Sequence, residues 1–140
     1  MWTFVIRGGR LFHNGRFMAL GYSGLDNDNV DDADDAKNNP DMQNVKNVGP
    51  IPVGLWKIAG QPYDHKTLGK YVMNLEPVDV PNLYGRDAFR IHGDSVANPG
   101  TASHGCIILA RNWRQAIWES GDRELLVVAD EIKVEDVTVS

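Results

Sequence analysis

One stretch of the sequence, Phe89–Arg111, concentrates the reactive side chains that the rest of the chain is built to present; it reads FRIHGDSVANPGTASHGCIILAR. It holds the single cysteine, Cys106, and two of the four histidines, His92 and His104. Apolar and polar residues alternate up to His92, which predicts a strand that ends at this imidazole. A thiol and two imidazoles within reach of one glycine-containing loop are the raw material for nucleophilic acyl transfer.

The residue types in this stretch suggest a nucleophile and a base. A thiol is mostly protonated at neutral pH, so Cys106 needs a base or a positive environment before it attacks a carbonyl carbon. The imidazole of His92 can take the thiol proton if the intervening loop folds back over the cysteine. The other ring nitrogen then needs a partner. The candidates are a backbone carbonyl near Gly93, the carboxylate of Asp94 and the hydroxyl of Ser95.

The attack would create an oxyanion, and the N–H groups of Gly105 and Cys106 are the candidate donors to it. Two other interpretations of the cysteine stay open. It could be a small buried hydrophobic residue before an apolar run. It could also ligate zinc together with His92, His104 and Asp94, although no paired ligand spacing supports such a site.

Length and composition indicate one globular domain, residues 1–140. The chain is 42% apolar and 24% charged, and one cysteine excludes an internal disulfide. Residues 26–41 contain seven aspartates against one lysine, and the remainder is close to neutral without the basic stripe that nucleic-acid binding requires. No apolar run approaches the roughly 20 residues of a membrane span, and no signal peptide is recognisable. We therefore expect neither nucleic-acid binding nor membrane insertion.

Alternating segments and turn residues predict a mainly β fold, as a β-sandwich or mixed sheets. Gly8-Gly9 and Asn14-Gly15 divide residues 2–22 into a three-stranded meander. Further strands are predicted at 55–59, 71–75, 88–92, 125–129 and within 132–139, with a solvated acidic loop at 26–41 and a polar connection at 60–70. One short helix is predicted near residues 112–120, with Asn112 as N-cap, Gln115 completing a capping box and Gly121 at the C′ position.

These motifs are similar to those of the L,D-transpeptidase catalytic domain family. Its signature is a His-Gly pair, a loop, and then Ser/Thr-His-Gly-Cys before an apolar residue; the chain has His92-Gly93 and Ser103-His104-Gly105-Cys106-Ile107. Other motifs resemble the short L,D-transpeptidase-like effectors of type VI secretion systems: Tyr22-Ser23-Gly24, Asn39-Pro40, Gly49-Pro50-Ile51-Pro52-Val53-Gly54 and Gly85-Arg86. The similarity extends from about Tyr22 to the final strands.

The resemblance implies a β-rich catalytic domain that forms a cysteine thioester on a peptidoglycan stem peptide. By this resemblance Cys106 is the nucleophile, His92 is the general base, and His104 and Gly105 shape the oxyanion loop. No metal or nucleotide cofactor is expected. The candidate substrate contacts are Ser103, Gly93, Arg111 and Arg86.

One position departs from the family pattern. Many members carry Arg or Asn two residues after the cysteine, where this chain has Ile108. Arg111 or Arg86 could replace that polar contact, because an arginine fork binds a carboxylate through two hydrogen bonds. Either side chain could equally be a solvated surface group.

The resemblance also suggests the reaction and the partners. Water would release a tripeptide, as in an L,D-carboxypeptidase, or an amine would be ligated, as in transpeptidation or D-amino-acid exchange. The expected partners are peptidoglycan stem peptides, a cognate immunity protein and the secretion machinery. The protein would be made in the cytoplasm and act in the periplasm of a target bacterium, although a phage or other lytic origin fits the sequence as well. The alternative function is a non-catalytic cell-wall-binding module on the same scaffold.

Overall fold

A computed structural model describes residues 1–26 and 35–131, and these parts of the chain form nine strands, a 3₁₀ turn at Pro40–Met42 and one α-helix. In chain order they are β1 (Trp2–Val5), β2 (Arg10–His13), β3 (Arg16–Leu20), β4 (Tyr22–Ser23), β5 (Gly54–His65), β6 (Gly69–Asp79), β7 (Arg90–His92), β8 (Ile107–Ile108), α1 (Arg111–Glu119) and β9 (Glu124–Val128). The strand predicted within 132–139 and half of the acidic loop at 26–41 lie outside the described residues.

All nine strands belong to one sheet, in the order β3-β2-β1-β9-β5-β6-β7-β8-β4. The edge strands β3 and β4 follow each other in the chain through Gly21, so the sheet curls until its edges nearly meet, as in a barrel. The Gly21 N–H donates to the Gly9 carbonyl oxygen at 2.7 Å. A Cβ on Gly21 would collide with the Ile108 carbonyl oxygen, so only glycine fits where the edges approach. The prediction of a mainly β fold with one short helix is confirmed, with a single nearly closed sheet in place of a sandwich.

The strands on either side of β9 organise the first half of this sheet. β1, β2 and β3 form the predicted meander, and Asn14 and Gly15 have positive φ angles of 50° and 84°, as a two-residue type I′ turn requires. β9 lies between β1, to which it is parallel, and β5, to which it is antiparallel. Its continuous apolar sequence suits this position, and the prediction of a central strand there is confirmed.

The long hairpin of β5 and β6 corrects one prediction. The polar connection predicted at 60–70 is wrong, because most of that segment continues the two strands. No side chain is fully buried over residues 60–71, so apolar alternation disappears there although pairing continues. Gly60, with φ 71°, and an irregular register up to Tyr63 mark a bulge at this point. β6 also continues through Pro77, which pairs with β5 but lies beyond the residues that pair with β7. Proline is tolerated there because one side of the strand has no partner strand that needs its missing N–H.

The helix begins earlier than the capping pattern predicts. Ala110 occupies the N-cap and no side chain caps the first turn. The prediction of Asn112 as N-cap, with Gln115 in a capping box, is therefore wrong, since both residues lie inside the helix. Gly121 has φ 74° and donates its N–H to a carbonyl of the last turn at 3.2 Å, as predicted for the C′ position. Among the described residues, no helix is long and apolar enough to cross a membrane.

The hydrophobic core fills the inside of the curled sheet, and α1 contributes Ile117 to it. Every strand from β1 to β9 except the short β4 supplies at least one apolar side chain to this cluster. Its most buried large members are Trp2, Phe4, Leu11, Trp56, Ile58, Met73, Ile91, Ile107, Ile117 and Leu125. Because Ile91 and Ile107 belong to this core, the backbone next to the reactive residues is anchored by apolar packing.

Two neighbouring leucines on β9 test this arrangement. Leu125 is 1% exposed and points into the core, whereas Leu126 is half-buried on the opposite face. We expect Leu125→Ala to lower the free energy of unfolding by about 2–5 kcal/mol, and Leu126→Ala to lower it by clearly less. Urea denaturation followed by circular dichroism measures both variants. Equal losses would contradict the inward orientation of Leu125.

Candidate active site

Two short parallel strands bring the predicted base and nucleophile together. β7 and β8 pair in parallel, with Ile91 opposite Ile107 and His92 opposite Ile108. Cys106 directly precedes β8, so the same register places it one position before Ile91, on the sheet face that also carries His92. Both side chains line one cavity of about 240 Å³.

This cavity continues into a larger one. The other residues around the thiol are Asn47, Leu68, Asp87, Ala88, Phe89, Arg90, Ala102, His104 and Gly105. Leu68, His92, Ala102 and His104 also line an adjoining cavity of about 550 Å³, which extends over the loop after β7. The thiol and the imidazole therefore lie along a groove formed by the 93–106 loop and the tip of the β5–β6 hairpin.

The structure fixes the orientation of the His92 ring. His92 is 2% exposed, and its Nδ1 lies 2.8 Å from the Gly93 carbonyl oxygen. A carbonyl oxygen can only accept, so Nδ1 carries the proton and Nε2 is left with a free lone pair. The sequence suggests three hydrogen-bond partners for the second ring nitrogen of His92, and the backbone carbonyl of Gly93 is the one that binds it.

Burial and nearby cations keep this imidazole neutral. Burial lowers the pKa of His92, and the charges of Arg114, Arg90 and His65 lower it further, while the hydrogen bond to the Gly93 carbonyl opposes the shift. A lowered pKa leaves the ring unprotonated at neutral pH. His92 is thus ready to accept a proton through Nε2.

The thiol is protonated in the same state. Cys106 is half-buried, and its Sγ lies 3.9 Å from the Ala88 carbonyl oxygen. Burial raises the pKa of the Cys106 thiol, whereas the backbone N–H of Arg90 and the charges of Arg90 and Arg86 lower it. The net shift is upward, so the resting pair is a neutral thiol beside a neutral imidazole.

Two buried serines hold residues 103–106, which we call the nucleophile loop after the predicted nucleophile Cys106. Ser103 is fully buried; its Oγ donates to the Cys106 carbonyl oxygen at 2.6 Å and accepts from the N–H groups of Gly24 and Gly105 at 2.9 and 3.2 Å. The Oγ of Ser23 donates to the Gly105 carbonyl oxygen at 3.1 Å. In this state Gly105 N–H is bound to Ser103, and the other candidate oxyanion donor is the N–H of Cys106.

The loop between the reactive residues is held by a tyrosine and a carboxylate. The Tyr22 hydroxyl donates to Asp94 Oδ1 at 2.6 Å and accepts from the Ala102 N–H at 3.0 Å, so it joins both ends of the loop. Asp94 also accepts from the N–H groups of Ser95 and Gly100. Burial raises the pKa of Tyr22, and the hydrogen bond to Asp94 adds to the increase. Asp94 is therefore committed to the loop and does not orient His92.

The other predicted site residues are spread around this pair. His104 is exposed, lines both cavities and holds the Asn47 carbonyl oxygen through Nδ1 at 2.9 Å. Arg111 lines a separate cavity of about 330 Å³ and stacks over the Tyr71 ring at 4.6 Å. Arg86 is buried behind the nucleophile loop and lines neither cavity beside the thiol. The cavity that contains Cys106 thus has neither Arg86 nor Arg111 on its surface.

Arg114 is a buried residue that sequence reasoning missed. Its guanidinium donates to the carbonyl oxygens of Leu109, Lys70 and Tyr71 at 3.0, 2.7 and 2.9 Å. A Cβ on Gly93 would lie 2.7 Å from its Nη2, so any larger residue after His92 would displace this guanidinium. An arginine on a helix usually faces solvent, and only its place on the apolar side, next to Trp113 and one turn before Ile117, could have indicated burial.

The described parts of the chain contain no group of three or more His, Cys, Asp or Glu side chains placed to hold a metal ion. The zinc ligand set considered from the sequence therefore does not assemble there. Asp94 is bound by Tyr22, and His104 faces the Asn47 carbonyl.

Comparison with known proteins identifies a family. The family model described as the Tlde1 domain matches residues 19–129, which includes β4 and every element that carries the site. No significant match to a curated protein or to a solved structure was found.

The protonation of the resting pair can be measured on the free protein. Because the pKa of Cys106 is raised and that of His92 is lowered, we expect iodoacetamide to alkylate Cys106 slowly at neutral pH. The rate should rise only above the ordinary range of a thiol pKa. The variant His92→Gln should keep this profile, since no ion pair is lost.

A different profile would contradict the neutral pair. A thiolate–imidazolium pair would lower the thiol pKa to about 3.5–7.5, and alkylation would then already be fast in acid. Loss of that acid reactivity in His92→Gln would identify the imidazolium as its cause.

Proposed function

Because the chain belongs to the Tlde1 domain family of type VI secretion L,D-transpeptidase effectors, we propose that it is a cysteine-dependent peptidoglycan L,D-transpeptidase or L,D-carboxypeptidase. The observation that carries this proposal is the shared cavity of Cys106 and His92, in which the carbonyl of Gly93 leaves the imidazole Nε2 free to accept a proton. The substrate would be a stem tetrapeptide, cleaved at the bond that precedes its terminal D-alanine.

Acylation would begin from the neutral pair. Cys106 Sγ forms a bond to the carbonyl carbon before D-alanine while His92 Nε2 takes the thiol proton. The resulting imidazolium is stabilised by the Gly93 carbonyl, which accepts from Nδ1 in both protonation states. Imidazolium then gives its proton to the D-alanine nitrogen, the C–N bond breaks, and the tripeptide remains as a thioester on the sulfur.

The negative oxygen of the tetrahedral intermediate needs donors that are already in place. The N–H of Cys106 is the nearest backbone candidate, and the Gly105 N–H could join it by leaving Ser103. The rigid carbonyls of this loop, held by Ser103 and Ser23, limit the reorganisation that the step requires. Removing one such donor costs about 10²–10³ in rate in other acyl-transfer enzymes.

The second half-reaction depends on which nucleophile reaches the thioester. The adjoining cavity of about 550 Å³ shares His92 with the thiol cavity, so a molecule held there can be deprotonated by the same imidazole. Water in this position would release a tripeptide, and an amine would give the transfer product. Either outcome returns the proton and the free thiol.

Arg90 is the arginine placed to contact the substrate. It lines the thiol cavity, and its Nε donates to the Tyr63 hydroxyl at 3.2 Å. Ile108, where many L,D-transpeptidases have a polar residue, is 3% exposed and does not line the thiol cavity. Since Arg86 and Arg111 lie outside this cavity, we assign the contact with a substrate carboxylate to Arg90.

The reaction can be followed by mass spectrometry of muropeptides after incubation of purified protein with tetrapeptide-rich peptidoglycan. We expect the wild type to convert tetrapeptides to tripeptides or to transfer products. Cys106→Ala should abolish turnover, and His92→Gln should slow it by about 10²–10⁴-fold, the usual contribution of a general base.

Two controls decide between catalysis and binding. Cys106→Ser preserves shape and replaces the nucleophile by a weaker one, so its muropeptide profile should match that of Cys106→Ala. Tetrapeptides that remain intact with the wild type, while the protein still sediments with sacculi, would favour the non-catalytic cell-wall-binding module over the enzyme.

As a type VI secretion effector, the protein would act in the periplasm of a target cell, and a cognate immunity protein would protect its producer. We expect growth arrest when the chain is directed to the periplasm of a Gram-negative host by an added signal peptide, and normal growth when it stays in the cytoplasm. Growth curves and microscopy of cell shape compare the periplasmic and the cytoplasmic forms. Periplasmic Cys106→Ala should be harmless, and equal toxicity of this variant would contradict an enzymatic toxin.

A further inference from the structure

Arg86 is a buried cation without a carboxylate partner in the described parts of the chain. It is 5% exposed, and none of the ion pairs found in residues 1–26 and 35–131 includes it. Burial lowers the pKa of Arg86 from its ordinary value. A buried charge that is not neutralised destabilises a fold. A buried arginine beside a reactive group therefore indicates a functional role.

The guanidinium is instead held by backbone carbonyls. Nη1 donates to the carbonyl oxygens of Gln43 and Pro50 at 2.6 and 2.8 Å, and Nη2 donates to those of Gly49 and His104 at 2.8 and 3.4 Å. These bonds join the 43–50 segment to the nucleophile loop. They satisfy the donors without cancelling the charge, because carbonyls contribute only dipoles.

The same guanidinium packs directly against the backbone of the nucleophile loop at Gly105. A Cβ on Gly105 would lie 2.5 Å from Arg86 Nη2 and 3.2 Å from Cε1 of Phe89, so the loop rests against both side chains. The guanidinium carbon lies 5.1 Å from the centre of the Phe89 ring, within the range of a cation–π contact. Gly105 has φ 134°, a conformation that suits only glycine and allows this close approach.

We propose that Arg86 is a positioning residue that fixes the Gly105–Cys106 backbone and stabilises the negative charge that develops on the Cys106 sulfur. If the proposed acyl transfer is correct, the same charge also stabilises the oxyanion beside this backbone. In a site of low polarity a fixed cation acts strongly on a nearby anion and needs no reorganisation during the reaction.

Other charged groups also face the thiol. The cavity around Cys106 includes Asp87 from the segment before β7, Arg90 and His92 from β7, and His104 from the nucleophile loop. Arg90 and Arg86 both lower the pKa of the thiol, and their effect is smaller than that of burial. Arg86 differs from Arg90 because it lies behind the backbone, where it cannot be displaced by substrate.

The test compares a neutral and a charged replacement of Arg86. Arg86→Gln keeps an amide donor and removes the charge, whereas Arg86→Lys keeps the charge and loses the planar fork. We expect Arg86→Gln to alkylate with iodoacetamide roughly tenfold more slowly than the wild type at a fixed pH below the thiol pKa, equivalent to a rise of about one pKa unit. Arg86→Lys should keep a thiol pKa near that of the wild type.

A distant arginine provides the matched control. Arg123 stacks on Trp118 at 3.5 Å and lies outside the cavities around the thiol, so Arg123→Gln should leave the alkylation profile unchanged. Unchanged thiol pKa values in folded Arg86→Gln, or an equal rise in Arg86→Gln and Arg86→Lys, would overturn the role of the charge.

A measurement on the wild type covers the case in which Arg86→Gln does not fold. The side-chain Nε–H resonance of Arg86 is followed by NMR as the pH is raised, with Cys106→Ser as the reference. A step at the thiol pKa that is absent from Cys106→Ser is expected, and no step in the wild type would overturn the proposal. Neither measurement uses peptidoglycan, so a failure here is distinguishable from a failure of the proposed enzymatic function.

Discussion

Two residue pairs between parallel strands, Ile91 with Ile107 and His92 with Ile108, set the geometry on which the candidate site depends. Parallel neighbours need a long connection, and here that connection is the loop that carries the nucleophile. Ile91 and Ile107 are in the core, so the register of the imidazole and the thiol is fixed by apolar packing. A shift by one residue would turn His92 to the opposite face of the sheet.

Around this pairing, the loops are held by polar side chains that do not line the cavity of the thiol. Ser103 and Ser23 bind the nucleophile loop, Tyr22 and Asp94 join the ends of the connection, and Arg114 lies against Gly93. These contacts leave few backbone groups free to rearrange. The reactive side chains can therefore face a groove while the backbone beneath them stays fixed, which is the usual requirement for preorganised catalysis.

The electrostatics of the site follow from the same burial. Burial raises the pKa of Cys106 and lowers that of His92, so each is neutral at rest. The buried guanidiniums of Arg86 and Arg114 lie behind the thiol and the imidazole, respectively. In the proposed proton transfer, charge separation would occur in a site that already holds two fixed cations, whose burial costs free energy in the folded state.

Much of this arrangement could be predicted from the sequence. The meander, the central strand β9 and the grouping of Cys106 with His92 follow from alternation, turn residues and the motifs in Phe89–Arg111. The β5–β6 hairpin could not be recognised, because residues 60–71 at its tip bury no side chain fully and have no apolar period. The start of α1 was misplaced since Ala110 gives no capping signal.

The roles of the arginines were the least accessible. The sequence does not distinguish Arg86, Arg90, Arg111 and Arg114 by environment. Only the tertiary structure shows that Arg86 and Arg114 are buried and that Arg90 lines the thiol cavity. Their donors are taken by carbonyls from distant segments, and such contacts leave no local pattern in a sequence.

The most direct test of the account is detection of the acyl-protein. Purified protein is mixed with a stem tetrapeptide, quenched in acid at short times and analysed by intact-protein mass spectrometry with peptide mapping. The account predicts a mass increase equal to the tripeptide acyl group, located on Cys106 and absent from Cys106→Ala. Release of D-alanine without any acyl-protein, and at an equal rate in Cys106→Ala, would contradict it.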